Sequence, residues 1–205
     1  AEEVPCAQKI LSQLATKAYG RTASQDDIKA LLDFYSMGAE DGGFEIGVRT
    51  ALEAILSSPH FLLRMEREPN QVAPGDVYTL DDMALAKRLS FFIWGTNPDA
   101  ELLELANRGK LSRNRILKAQ VLRMLVDPRS EALATRFASL WLRLQDLEKV
   151  EPDAFWFPNY SQQLMTAMRR ETELFFYNLV REDRSMLELY NANYSFMNER
   201  LAQHY

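Results

Sequence analysis

Cysteine and histidine are the scarcest chemistry-bearing residues in this 205-residue chain, with one thiol, Cys6, and two imidazoles, His60 and His204. A single thiol excludes an internal disulfide framework. The set is also too poor in nitrogen and sulfur ligands for the usual zinc, copper, haem or iron–sulfur centres. Neither histidine stands three residues after a glutamate, which removes the Glu-x-x-His pairs of carboxylate-bridged di-iron bundles. C-x-x-C-H, Walker A, G-x-G-x-x-G, G-x-S-x-G and H-E-x-x-H patterns are missing, so the chain is read as carrying no cofactor and no metal of its own. Glycine and proline number eight each, which excludes collagen-like and low-complexity chains. No apolar run approaches the ~20 residues of a membrane span. The first residues, Ala-Glu-Glu-Val-Pro, lack the basic and apolar regions of a signal peptide. A formal charge of -5 and a pI near 5.2 argue against nucleic acid as a partner. Paired-carboxylate chemistry stays open, because 29 acidic residues always permit it.

What is present is helical periodicity. Ile10, Leu11, Leu14, Ala15 and Ala18 recur at helix spacing and stop at Gly20. Ser24-Gln-Asp-Asp supplies an N-cap hydroxyl and two first-turn carboxylates for a second helix that ends near Gly38. Phe44, Val48, Ala51, Leu52 and Ile55 form a third stripe, with Glu45 and Arg49 as an outward i,i+4 pair. Pro59 ends or kinks it, with a further turn or two towards Met65. A proline- and glycine-bearing stretch without any stripe, residues 68–79, reads as a linker between a unit over 1–67 and a unit over 80–205. The next helix starts at Thr79 with Asp81 and Asp82, runs to Trp94 and stops at Gly95. Asn97-Pro98 and Ser112 then cap further helices, and another holds Leu133, Phe137, Leu140, Trp141 and Leu144. Pro152 to Pro158, with Phe155, Trp156 and Phe157, is read as a loop packed over the helical core, a lid or docking surface being the other reading. The longest amphipathic run is Ser161 to Arg181, and shorter pieces follow at Met186 to Tyr190 and Asn198 to His204. Sustained alternation is nearly absent. The spacing therefore predicts an all-α fold of about nine or ten helices in two packed helical units, with αα-hairpin grammar and no sheet.

Charge is uneven. Ser24 to Glu66 holds eight acids and three bases, while Lys110 to Arg136 holds seven bases and two acids. Such opposed stretches suit mutual attraction or a partner, and equally a solvated helix face.

One polar residue falls on an apolar face. At 100° per residue, Leu164, Met168, Phe175 and Leu179 cluster within about 60°, and Glu171 lies beside them. A carboxylate there needs a cation or several donors. Arg88, Arg136 and Arg143 are the candidate partners, because a guanidinium fork matches a carboxylate. Two readings follow. Either these residues, with Trp94, Trp141 and Trp156 as a candidate aromatic pocket, bind an anionic or sugar ligand, or they form a buried ion pair that fixes helix register. A polysaccharide-cleaving version needs a second carboxylate, Glu173 or Asp146. His60 reads as a helix cap or a ring stacked on an aromatic, and as a ligand or acid/base group in the alternative. Cys6 is either a small buried residue or half of a disulfide to a partner outside the chain.

Several strings are specific. Cys6-Ala-Gln-Lys-Ile-Leu-Ser-Gln-Leu-Ala-Thr-Lys-Ala-Tyr-Gly-Arg, Gly43-Phe-Glu-Ile-Gly-Val-Arg and Ser58-Pro-His-Phe-Leu-Leu-Arg-Met-Glu resemble the domain of unknown function numbered fifteen-ninety-five. Leu89-Ser-Phe-Phe-Ile-Trp-Gly, Pro98-Asp-Ala-Glu-Leu-Leu, Met124-Leu-Val-Asp-Pro-Arg, Met168-Arg-Arg-Glu-Thr-Glu-Leu-Phe-Phe and Phe196-Met-Asn-Glu-Arg-Leu-Ala-Gln-His-Tyr resemble the domain numbered fifteen-ninety-two, here apparently truncated at its C-terminus. The resemblance implies large exported, planctomycete-type proteins of the cell envelope, periplasmic or extracellular, many with a cytochrome c-like domain. Haem c then belongs to the full-length parent. It also implies a disulfide from Cys6 across the N-terminal boundary, and as partners the other domains of the parent, an envelope protein or polysaccharide. It carries over no catalytic residues. The expected function is a helical, non-catalytic interaction or scaffold module of a redox-associated protein, the alternative being a polysaccharide-binding or polysaccharide-cleaving module built on Glu171.

Overall fold

The computed structural model describes residues 3–63, 72–73 and 75–205; of the linker read over 68–79, residues 68–71 and 74 lie outside the described residues, as does Met65. The fold is all-α, with no strand among the described residues. The helices are α1 Glu3–Tyr19, α2 Gln25–Ser57, α3 Pro59–Leu62, α4 Asp82–Ile93, α5 Ala100–Asn107 and α6 Asn114–Val126. A 3-10 turn Pro128–Glu131, a π-helical stretch Leu133–Ala138, α7 Ser139–Trp141 and a 3-10 stretch Leu144–Lys149 come next, followed by α8 Gln162–Arg181, α9 Glu188–Asn191 and α10 Glu199–His204. None of the described helices is long and apolar enough to cross a membrane. The chain divides into two compact units, Ala1–Arg88 with Asn97–Ile116, and Leu89–Thr96 with Leu117–Tyr205; the division falls within α4 and within α6.

In the first unit α1 packs against α2, and α2 is itself folded back at Gly42 and Gly43. Gly43 has φ +80° and ψ -165°, a region essentially reserved for glycine, so the sequence places its bend there. Ala7, Leu11, Ala15, Tyr19, Leu31, Tyr35, Ala51 and Ile55 form the shared core. The helix expected to end near Gly38 continues past it. A Cβ at Gly38 would lie 2.4 Å from Thr50 Oγ1, and one at Gly47 would lie 2.6 Å from the Tyr35 carbonyl oxygen. Both glycines therefore permit the close approach of the two arms. Gly47→Ala is expected to destabilise the chain by about 2 kcal/mol in urea unfolding, because backbone cannot yield to the new methyl; unchanged stability would show that the arms are not pressed together there.

Local capping obeys the sequence at some ends. Ser24 and Asp27 form a reciprocal capping box at the start of α2, and Ser161 Oγ accepts the Leu164 N–H at the start of α8. Elsewhere the polar residues serve distant backbone. Asp99, one step beyond the expected Asn97-Pro98, caps α5, while Asn97 Nδ2 donates to the Lys17 and Ala18 carbonyls at the end of α1, at 3.1 and 2.9 Å. Asp81 caps α4, and Asp82 accepts the Leu111 and Ser112 N–H groups, at 2.7 and 3.1 Å. Arg49 pairs with Glu53 rather than Glu45. The His60 ring meets the Tyr19 ring at 5.5 Å, tilted by 57° rather than stacked on it. Cys6 is exposed, so the buried-residue reading does not hold.

In the second unit α8 is the central strut. Leu164 and Ala167 meet Leu201 of α10, and the π-helical stretch packs against α8 as well. The π register, one residue wider per turn, breaks the single long helix expected around Leu133 to Leu144. Phe155, Trp156 and Phe157 do not fold back over the core: they are 81%, 73% and 60% exposed.

Candidate functional site

Two polar arrangements and one open groove stand out in the second unit. The first arrangement surrounds Trp94, which is buried at the end of α4 where Gly95 turns left-handed at φ +65°. Its indole Nε1 donates to the Met124 carbonyl at 2.9 Å, and the Arg129 guanidinium lies 3.5 Å above the ring. Asp127 caps the following turn and holds Arg129 through two bonds, at 2.9 and 2.8 Å. Arg136 Nη1 donates to the Gly95 carbonyl at 2.5 Å. This is architecture: a ring clamped by cations that are themselves tied down.

The bonds from Arg129 depress the Asp127 carboxyl to about 2. A folded-state value below the unfolded one, near 4, stabilises the fold above that pH and loses the contribution as pH falls towards 2. Acid unfolding monitored by circular dichroism should therefore be shallower between about pH 4 and 2 in Asp127→Asn than in the parent chain; identical acid slopes would contradict this.

The second arrangement centres on Glu173, the carboxylate that is buried on α8. Ser139 Oγ donates to it at 3.2 Å, Arg169 Nε at 3.1 Å and Arg170 Nη1 at 3.3 Å. Arg169 reaches on to Glu148 at 2.9 Å and Arg170 to Glu131 at 2.5 Å. Neutralised on both sides, Glu173 ties α8 to α7 and to the two 3-10 segments. It has no freedom to act as a nucleophile or base.

Glu171 was the residue expected in that buried role. Instead it is half-exposed, accepting one bond from the Ser195 hydroxyl and one from the Tyr205 hydroxyl at 2.7 Å. Its expected ion pair with Arg136 or Arg143 does not form. Arg136 bonds the Gly95 carbonyl, and Arg143 turns back to Asp146 at 2.6 Å from a left-handed backbone at φ 57°. Lys149 also donates to Asp146, at 2.8 Å, and these two cations hold the Asp146 carboxyl below the usual range, Lys149 contributing most. Arg88 belongs to the first unit.

Glu171 does stand at the wall of an open groove of about 430 Å³, shared with Trp141, Phe175, Glu188, Tyr190 and Tyr194. Trp141 packs its ring on Phe137 and Phe176, with centroids at 6.1 and 6.4 Å, yet keeps 53% of its surface exposed; Tyr190 is 87% exposed. Tyr194 stacks on Phe175 at 5.3 Å and donates its hydroxyl to Glu188 at 2.7 Å. Glu188 also takes Arg184 at 2.8 Å, which together with Tyr194 holds its carboxyl low. The three tryptophans do not share a pocket: Trp94 is in its arginine clamp, Trp141 in the groove, and Trp156 against Phe155 in the loop.

Sequence reasoning named Glu173 only as a second carboxylate for cleavage and missed its buried ion pairs, although Arg169 and Arg170 stand four and three residues before it, the spacing of helical ion pairs. It also missed Glu188, Tyr190, Tyr194 and Ser195, for which α8 periodicity holds no signal. In the first unit a hollow of about 730 Å³ is lined by Tyr19, Asp27, Phe34, Glu53 and His60. Of the three acids on its wall, Asp26, Asp27 and Glu53, Asp27 pairs with Arg21 at 2.6 Å and Glu53 with Arg49 at 3.1 Å. No group of three or more histidine, cysteine, aspartate or glutamate residues suited to a metal ion occurs among the described residues.

The fold and these sites define an all-α, two-unit helical protein with an open aromatic groove that has a carboxylate in its wall. Residues 80–205 match the family model described as PSD4, Protein of unknown function (DUF1592), and the chain belongs to that family. Residues 6–66 match PSD5, Protein of unknown function (DUF1595), so the two families follow one another along the chain as their motifs implied. No curated protein and no solved structure matches the chain.

Proposed function

We propose that this chain is a non-catalytic interaction module of a longer, exported, redox-associated protein, and that it docks through the aromatic loop of its second unit. The observation that carries this reading is the ordered exposure of Phe155, Trp156 and Phe157. Asp153 Oδ1 accepts the Phe155 N–H at 2.8 Å, and the Asp153 carbonyl accepts the Phe157 N–H at 2.9 Å. A turn thus holds three large rings in water, where hydrophobic burial is forfeited unless a partner covers them. Rings pre-set in this way lose little conformational freedom on docking. The natural partner is another domain of the parent protein, and the exposure of Cys6 supports a disulfide to a cysteine outside the sequence given. Haem c, where the parent carries it, is attached outside the sequence given, whose only thiol is Cys6 and which holds no C-x-x-C-H pattern.

The test is to replace Phe155, Trp156 and Phe157 together by serine. The variant should keep its circular dichroism spectrum and lose retention on the remainder of the parent supplied separately; unchanged retention would contradict the reading. A Soret band in the parent's absorption spectrum would tie the module to redox chemistry.

The groove beside Glu171 favours a second reading, polysaccharide binding, since exposed Trp141 and Tyr190 rings suit sugar faces. Cleavage is disfavoured, because it needs two available carboxyl groups across a cleft. Glu173 is locked between arginines, Asp146 is held by Arg143 and Lys149, and Glu188 in the groove itself is taken by Arg184 and the Tyr194 hydroxyl.

A further inference from the structure

The charge balance of the Glu171 groove selects among ligands. Both oxygens of Glu171 are bonded, yet their partners, the Ser195 and Tyr205 hydroxyls, are neutral. Glu188 differs, because Arg184 offsets its charge. The groove wall therefore presents one carboxylate whose charge no cation within ion-pairing distance balances among the described residues. Each carboxylate oxygen has a further lone pair beyond the one a hydroxyl occupies, so acceptor capacity remains. The hydroxyl protons nearest the two acids are already committed: Ser195 and Tyr205 to Glu171, Tyr194 to Glu188, and Thr172 to the Met168 carbonyl at 3.2 Å.

The remaining wall is aromatic. Tyr190 and Trp141 expose ring surface to the same groove, whereas Tyr194 is covered by Phe175 on one side and approached by Arg184, at 5.1 Å from its centroid. Aromatic faces carry negative electrostatic potential and attract cations within about 6 Å of the ring centre. A neutral sugar would gain from the rings but would leave the Glu171 charge without a counter-charge. A cation whose charge sits among methyl or methylene groups gains from both walls at once.

We propose that this groove binds an alkylammonium group, with its positive charge against Glu171 and its N-bonded carbons against the Tyr190 and Trp141 rings. This rests on reading the groove as a ligand site, the second reading above, and changes the chemistry of its occupant from neutral to cationic.

The test is isothermal titration of the 205-residue chain with three probes: choline, its uncharged isostere 3,3-dimethylbutan-1-ol, and cellotetraose. Choline should bind at least about tenfold more tightly than the isostere, weaken with added salt, and lose about tenfold in both Glu171→Gln and Tyr190→Ala. Tyr190→Ala changes an exposed ring and Glu171→Gln keeps an acceptor of the same shape, so circular dichroism should be unaltered in both. Binding of the isostere or of cellotetraose as tight as choline, and sensitive to Tyr190→Ala, would overturn the cationic assignment while leaving the groove as a ligand site. No binding of any probe would overturn both.

Discussion

Replacing Trp94 by alanine should cost about 4 kcal/mol of folding stability, the largest loss expected of any single change in the second unit. Three effects act together. The buried indole leaves a cavity at the end of α4, the Met124 carbonyl loses the donor 2.9 Å away, and Arg129 loses the ring 3.5 Å beneath its guanidinium. Trp94→Phe separates them by restoring most of the volume without the N–H, and should recover roughly half of the loss. Denaturant unfolding followed by circular dichroism checks both. A loss below about 1 kcal/mol in Trp94→Ala would mean that the clamp holds nothing together.

The second large effect distinguishes two acids on one helix. Glu173→Ala should destabilise by about 2 to 3 kcal/mol, because it strands the buried Ser139 hydroxyl and removes the charge shared by Arg169 and Arg170. The figure stays below that of a fully enclosed pair. Both arginines reach solvent and keep Glu148 and Glu131. Glu171→Ala should cost less than about 1 kcal/mol, since the carboxylate is half-exposed and its partners are hydroxyls that water can replace. The opposite ranking would restore Glu171 to the buried role that periodicity assigned it. A ligand carboxylate and a structural carboxylate then differ in the expected direction: one change alters binding with little effect on stability, the other alters stability.

These two acids also show how far the sequence could be read. Helical spacing located α1, the start of α2 and nearly the full length of α8, because those segments carry a clear apolar stripe and, in α2 and α8, a serine cap. The stripe on α8 was read as single, from Leu164 to Leu179. In the fold α8 is covered on more than one side, by α10 and by the π-helical stretch, so its buried surface is wider and takes in Glu173. Glu171, two positions earlier, is about 200° away around the helix and reaches the groove instead. Capping residues failed in a related way. Asn97 and Asp82 have the side chains of N-caps, but their bonds go to backbone far along the chain, and no local rule carries that information. The aromatic loop was placed correctly along the sequence and wrongly in space, since adjacent apolar residues are expected to find cover. The groove joins α8 to residues 188–195, a pairing that exists only in the tertiary structure.

The account's central claim is that Phe155, Trp156 and Phe157 are held out for a partner within the parent protein. Amide hydrogen exchange across residues 153–158, compared between the isolated 205-residue chain and the full-length parent, tests it most directly. The account predicts clear slowing of exchange in the parent throughout this loop, with the Trp94 and Glu173 regions unchanged. Equal exchange rates for the loop in both would contradict it.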